Sequence, residues 1–411
     1  MGVFLYPIFP KFNAKVVLNM VHTATLTYLL DSKEKADLYE KFKKIPGSYY
    51  AKQEYKWCNS TLKSNGITLW AYKLDTICYG VLVMRINFIR LVEQQNRIAV
   101  LAEADIPRIE KKFNELMDNL LPGLPYFAEW KVNRLDYCVN IHTEHVAQYI
   151  KLLHKANIPT TMKQKRDDNG NYKFQDGSFY LISKARDRRF RKTGSKTYNF
   201  YDKYQELQNQ LKNGEPNVTA EVVEQGKNIL RLEVQCFKPG LEYLKVKNKY
   251  PTKQILYYLN PQTGYEIIDR AICLSCGYAD FQRKKTARQM IDAMKCQDKT
   301  KHRLHQLIND ISRTSWQKVK KSYISSGLMT EATFRYYINL LQKNNINPIT
   351  IDKNVSLPGK KTTDGLRSLW ELFDEAYTAE PFLITDTADD FDIDSFVKED
   401  LKYENHKRIL D

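Results

Sequence analysis

The chain has 411 residues, with 64 Lys and Arg against 48 Asp and Glu, for a formal net charge of +16. A hydrophobic share of 43% with 12% aromatic residues excludes wholesale disorder. No apolar run approaches the roughly 20 residues that a bilayer span needs, so the cation surplus points to nucleic acid before membrane. The amino-terminal MGVFLYPIFPKFNAK has neither the pattern of a secretory signal nor the Ser or Thr that myristoylation requires. Seven cysteines, an odd number scattered from Cys58 to Cys296, do not make a disulfide framework. A soluble cytoplasmic protein with no membrane partner is the expectation.

Lys15 to Leu30 alternates as a strand, and a polar helix runs from an N-cap at Ser32 to about Lys44. Ile67–Leu74 and Gly80–Ile89 read as further strands, the second alternating around Arg85 and Asn87. Ile106–Leu121 carries Ile109, Phe113, Leu116, Met117 and Leu120 at helical spacing before Pro122-Gly123. Two well-patterned strands follow at Lys131–Ile141 and Ile229–Phe237. Between them lie a helix near Val146–Ala156, a basic segment, and a strand–helix junction at Thr197–Gln210. From about Leu241 helical patterns take over, and residues 384–400 hold seven Asp or Glu and one Lys. Strands and helices mix without strict βαβ alternation, which predicts an α+β fold. The expected plan is a mixed or antiparallel sheet domain over 1–240, flanked by helices. A mainly helical domain would follow over 241–350, then a loop, short helix and acidic tail over 351–411.

Residues 163–192 hold ten Lys or Arg and four Asp or Glu, with Tyr172, Phe174, Phe179, Tyr180 and Phe190 interleaved. Cations for phosphate beside ring faces for bases suit a single-stranded DNA groove, and a solvated hairpin has the same composition. Lys184, Arg186, Arg188, Arg189 and Arg191 are its candidate DNA contacts.

Two strands repeat one pattern, Arg134-Leu135-Asp136-Tyr137 and Arg231-Leu232-Glu233-Val234. Period two sends Leu135, Tyr137 and Val139 to one face and Arg134, Asp136, Cys138 and Asn140 to the other. In the second strand Leu230, Leu232, Val234 and Cys236 oppose Arg231, Glu233 and Gln235. If the strands are neighbours, Asp136 and Glu233 could share a hard divalent cation, Mg2+ or Mn2+, with Arg134 and Arg231 suited to phosphate. Arg–carboxylate pairs on a solvated face are the plain alternative. A third segment, Thr197–Glu206, alternates so that Asn199, Tyr201 and Lys203 share a face, and Glu206 enters the first turn of a helix. A tyrosine there is a candidate phosphoryl-transfer nucleophile, and a phenol with an ordinary pKa near 10 needs a cation beside it.

In this order the motifs Trp130–Tyr137 (W-x-V-x-R-L-D-Y), Tyr201–Glu206 (Y-D-K-x-x-E) and Leu230–Val234 (L-R-L-E-V) resemble the replication initiators of filamentous phages, the gene II or replication protein CRI family. More distantly the chain is similar to the replication initiation factors of rolling-circle plasmids and conjugative elements. The resemblance spans about Leu69 to Leu244 and extends weakly to about Asn347. It implies a site-specific DNA nicking–closing enzyme that starts rolling-circle replication. Its partners would be origin DNA, double- and single-stranded, with a host helicase and polymerase. By motif matching Tyr201 takes the nucleophile role, Asp136 and Glu233 the metal, Lys203 the phenolate or phosphate charge, and Glu206 a third ligand or base. Arg134 and Arg231 would hold the scissile phosphate. Tyr180, in Gly177–Lys184, resembles the Tyr-x-x-Ser-(Lys/Arg) element of the plasmid branch and is the rival nucleophile, with Tyr198 a third candidate. The His-hydrophobic-His metal motif of the larger relaxase superfamily is absent. His142 and His145 do not replace it.

Cys273 and Cys276 form one CxxC without a second pair, which reads as buried thiols. Ser315–Ser325, with Lys318, Lys320 and Lys321, then Gly327 and a helix capped by Thr330, have the punctuation of a helix-turn-helix or of an ordinary helical hairpin. Two other functions stay open. A non-catalytic sequence-specific DNA-binding protein explains the charge but not the acids beside arginines. A nuclease using metal-activated water explains the acids but not Tyr201.

Overall fold

The computed structural model describes residues 19–378 except 32, 45–47, 52–53, 58, 73–79, 95, 121, 165–176, 185–193, 216, 358 and 360–364. Most of the basic segment, including Arg186, Arg188, Arg189 and Arg191, and the acidic 384–400 stretch lie outside the described residues. Within them the alternating runs become eleven strands of one sheet. In chain order these are β1 (Asn19–Leu30), β2 (Ser48–Ala51), β3 (Glu54–Trp57), β4 (Ile67–Tyr72), β5 (Gly80–Asn87), β6 (Leu101–Ala102), β7 (Lys131–His142), β8 (Met162–Gln164), β9 (Ser178–Ser183), β10 (Lys196–Asp202) and β11 (Ile229–Phe237). Across the sheet the order is β2-β3-β4-β5-β1-β7-β11-β10-β9-β8, with β6 pairing on β1, and neighbours run antiparallel. The fold is α+β, as the pattern predicts.

β7 and β11 sit side by side within the sheet, and their Leu, Val, Ile and Tyr positions pack into the core. Leu135, Tyr137, Val139, Leu230, Leu232 and Val234 are all fully buried. That face needs a second layer, and helices supply it. Ile106–Leu120 packs there through Phe113, whose ring centroid lies 6.5 Å from that of Trp130. The helices Pro261–Ser275 and Leu369–Thr378 lie over β7. Buried residues from Val21 to Tyr377 share one apolar cluster, so these two helices beyond 240 pack on the sheet, while the helices between Lys284 and Lys343 pack on one another.

The seating is tight. A Cβ added at Gly264 would meet Tyr377 Oη at 2.4 Å and Tyr137 Cδ1 at 3.1 Å. Tyr377 cannot step aside freely, since its hydroxyl donates to Pro261 O at 2.8 Å. On an exposed helix Gly→Ala stabilises by about 1 kcal/mol. Here Gly264→Ala is expected to destabilise by about 1–3 kcal/mol through overpacking. Urea unfolding checks this, and unchanged or raised stability would mean that the helix does not rest on β7.

Candidate active site

Directly opposed residues of antiparallel strands share a face, so the register lays out the polar side of the sheet in rows. One row joins Arg85 on β5, Thr25 on β1 and Arg134 on β7. The next joins Asn87, Thr23, Asp136 and Gln235. A third joins Cys138, Glu233, Asn199 and Tyr180, and a fourth Asn140, Arg231, Tyr201 and Ser178. Asp136 and Glu233 are thus diagonal neighbours, with Cα atoms on the order of 7–8 Å apart. Both acids, Asn199, Gln235 and Tyr201 line one groove of about 690 Å3. The expected neighbourhood of the two repeated strands and the Tyr201 strand is present.

The polar face is not a solvated one. Asp136 is 2% exposed and Glu233 6%. Burial, and then the charge of Glu233, push the Asp136 carboxyl up to about 7 even though Arg134 pulls the other way. Arg134 grips Asp136 with both arms, Nε to Oδ1 at 2.8 Å and Nη2 to Oδ2 at 2.7 Å. Its guanidinium also lies 5.6 Å from the centre of the Phe237 ring. Arg134 was expected at phosphate; in the protein alone the carboxylate two residues away satisfies it.

Arg231 departs further from expectation. It is 0% exposed and does not line the groove, so it offers DNA no surface. Nε donates to Asn140 Oδ1 at 2.8 Å, Nη2 donates to the carbonyl of Ile98, and among the described residues Nη1 has no hydrogen-bond partner. Its charge acts from beneath, on the Tyr201 row.

Tyr201 is 9% exposed, and its hydroxyl donates to Glu233 Oε2 at 3.4 Å. Burial and the charge of Glu233 push the phenol well above its ordinary pKa, while Arg231 draws it down. Glu233 Oε1 accepts from Gln235 Nε2 at 2.6 Å, which fixes the carboxylate. Tyr180 faces the same acids but is held to Thr197 and does not line the groove. Tyr198 points the other way, stacked on Phe200 at 6.3 Å in the core, and leaves the candidate list.

β10 ends where Asp202 caps the helix Lys203–Lys212, its Oδ1 accepting from the amides of Tyr204 and Gln205 at 2.9 and 3.3 Å. This cap sets Lys203 and Glu206 on the first turn, where they pair at 2.7 Å. Burial and the nearby Arg231 lower Lys203 to about 8. Glu206, expected as a third ligand or base, is taken by Lys203 and by Gln210. Among the described residues no group of three or more His, Cys, Asp or Glu converges as a metal site. Two carboxylates with the amides of Asn199 and Gln235 beside them are what the groove offers a cation. Hard oxygens of this kind fit Mg2+ or Mn2+ with water and DNA phosphate completing the shell.

Several groove residues escaped the sequence pattern. β1 changes register between Val21 and Thr23, and that bulge turns both His22 and Thr23 into the groove. His22 Nδ1 lies 2.9 Å from Thr23 Oγ1, and Nε2 lies 3.2 Å from Asn87 Nδ2. Burial first, then Arg231, Lys203, Arg85 and Arg97, lower its pKa well below the ordinary value, so the ring is neutral at pH 7. Lys63, Arg85, Arg90 and Arg97 make a cationic wall. Lys184 is not part of it. It sits at the far end of β9 from Ser178, its ammonium on Thr160 O at 2.8 Å.

Away from the groove, Trp316–Ser325 and Glu331–Lys343 form the expected helix pair, turning at Gly327 with φ +72°. Lys318, Lys321, Tyr336 and Asn339 are exposed, whereas Lys320 pairs with Glu331 at 2.8 Å. Cys276 is buried and Cys273 half-buried, both free thiols raised by burial. Among the described residues no helix is long and apolar enough to cross a membrane. The chain matches no protein-family model, no curated protein and no solved structure.

Proposed function

We propose that this chain is a DNA strand-transfer enzyme that nicks and rejoins one strand through Tyr201, as an initiator of rolling-circle replication. The observation that carries the reading is the Tyr201 hydroxyl on Glu233, one diagonal from Asp136, in a groove walled by Lys and Arg. Attack of the Tyr201 oxygen on a phosphodiester forms a phosphotyrosine bond and breaks the bond to the 3′ oxygen. The phenolic proton passes to Glu233, and the departing 3′ oxygen takes up a proton to leave a free 3′-hydroxyl. One ester replaces another, so reversal closes the strand without ATP. A divalent cation on Asp136 and Glu233 would supply charge neutralisation at the phosphate. Arg231 and Lys203, both buried near Tyr201, stabilise developing phenolate charge from below.

A 3′-labelled random single-stranded pool, incubated with protein and Mg2+ and run on a denaturing gel, tests the reading. Label that travels with protein supports it. Shortened label without protein points to a nuclease using water, and intact label to a DNA-binding protein alone. The binding-only reading leaves the buried acids unexplained, since anions repel DNA unless a cation bridges them.

The basic segment makes a separate prediction. Replacing Arg188, Arg189 and Arg191 together by Gln is expected to weaken DNA binding and reduce the salt slope of log K by up to about three phosphate contacts. Affinity titrations across salt check it, and an unchanged slope assigns those arginines to solvent.

A further inference from the structure

The groove has two unlike walls, and only one is explained by phosphate. On one side stand Lys63 and Arg85, both exposed; among the described residues neither makes an ion pair. Gly66 (φ +74°) lets the chain pass Arg90 closely, and Arg90 Nη2 donates to Lys63 O at 2.9 Å and pins that wall. On the other side the helix Lys203–Lys212 and its C-cap present Gln205, Asn209 and Asn213, spaced four residues apart on one face. All three are exposed, and among the described residues no side-chain hydrogen bond engages them. The opposite side of the helix is tied down by buried Leu207 against Val218 and Val223, so the stripe is held in place. Glu206 and Glu215 also line this wall; Lys203 neutralises the first, and Arg90 and Arg97 feel the charge of the second.

We propose that this groove is a single-strand specificity channel, in which Gln205, Asn209 and Asn213 read base edges while Lys63 and Arg85 hold the phosphates. The inference rests on the strand-transfer reading, because the stripe begins four residues after Tyr201 and runs away from it. A primary amide carries one acceptor and two donors, the complement of a base edge, and contributes nothing to phosphate charge. From Gln205 to Asn213 the rise is about 12 Å, the span of about three stacked nucleotides. In a duplex the base edges lie inside grooves that a protruding helix must enter. Here the amides line a concavity, so bases must be brought to them, which unpaired strand allows.

Selection of bound sequences from a random single-stranded oligonucleotide pool tests the channel, with thermal melting as the folding control. Wild type is expected to enrich a short motif with about tenfold discrimination at each read base. Asn209→Ala with Asn213→Ala should flatten that motif at one or more positions while affinity for unselected pool stays within about twofold. Lys63→Gln with Arg85→Gln should keep the motif, lower affinity for every sequence, and reduce the salt slope by about 1–2. The proposal is overturned if wild type shows no motif, if the amide variant selects the same one, or if the duplex form competes equally. Adduct formation on the 3′-labelled pool is a separate readout. Adducts with an unshifted motif sink the channel alone, and a shifted motif without adducts sinks strand transfer alone.

Discussion

Tyr201→Phe is expected to remove the covalent protein–DNA adduct and to lower strand cleavage by roughly 10⁴-fold or more. The fold and the DNA affinity should barely change. The lost contact is a single hydrogen bond to Glu233 at 3.4 Å, near the limit of such bonds, so the stability cost is about 0.5–1 kcal/mol. The ring stays, and with it the packing of β10. Tyr180→Phe is the decisive companion. Both phenols feel Glu233, and only Tyr201 lines the groove. The Tyr180 variant should therefore keep its adduct with a rate within about tenfold of wild type, since an indirect contact contributes little to the attacking atom. An adduct that survives in Tyr201→Phe and vanishes in Tyr180→Phe would transfer the nucleophile to β9. Loss in neither variant would remove tyrosine chemistry from the groove.

The β7 and β11 strands were legible because alternation runs uninterrupted from Arg134 to Ile141 and from Leu230 to Cys236, with apolar residues on one face. Leu135, Tyr137 and Val139 could only pack inward, so Asp136 and Glu233 had to share the other side. The β10 junction was legible too, since an alternating run meets a good helix cap at Asp202. His22 was hidden by a bulge: alternation read back from the buried Ala24 would send it into the core, and one extra residue reverses that. Lys63, Arg85 and Arg97 were hidden because proximity to Asp136 depends on the order of β4, β5, β1 and β7, which no local pattern contains. The carboxy-terminal helices were legible as helices, but the sheet face that two of them cover was not. An amphipathic stripe states that a helix covers something, and the sheet face under Gly264 and Tyr377 lies more than 100 residues earlier in the chain, at Tyr137. The arginine positions were legible and their partners were not, for a related reason. Spacing put Arg134 beside Asp136, and whether it serves phosphate or carboxylate is decided by burial, which makes an unpaired carboxylate costly.

The acid pair makes the sharpest pH prediction. In the folded protein Asp136 holds its proton up to about 7, against roughly 4 in an unfolded chain. The folded state therefore binds the extra proton across that window, so this group's contribution to stability declines as pH rises from about 4 to about 7. A divalent cation binds the ionised form and reverses the trend. Millimolar Mn2+ should raise the melting temperature at about pH 8 and scarcely move it at about pH 5. Asp136→Asn should remove both the pH trend and the Mn2+ shift, stabilise the metal-free protein by about 1–2 kcal/mol at about pH 8, and lower cleavage by at least about 10²-fold. Glu233→Gln should also lose the Mn2+ shift, and with it the acceptor for the Tyr201 proton. DNA affinity should hold or tighten in both, because an anion leaves the groove, and in Asp136→Asn Arg134 is also freed for phosphate. A Mn2+ shift that persists in both variants would place the cation elsewhere. Loss of DNA binding in both would recast the acids as scaffolding for Arg134, with no part in handling the phosphate.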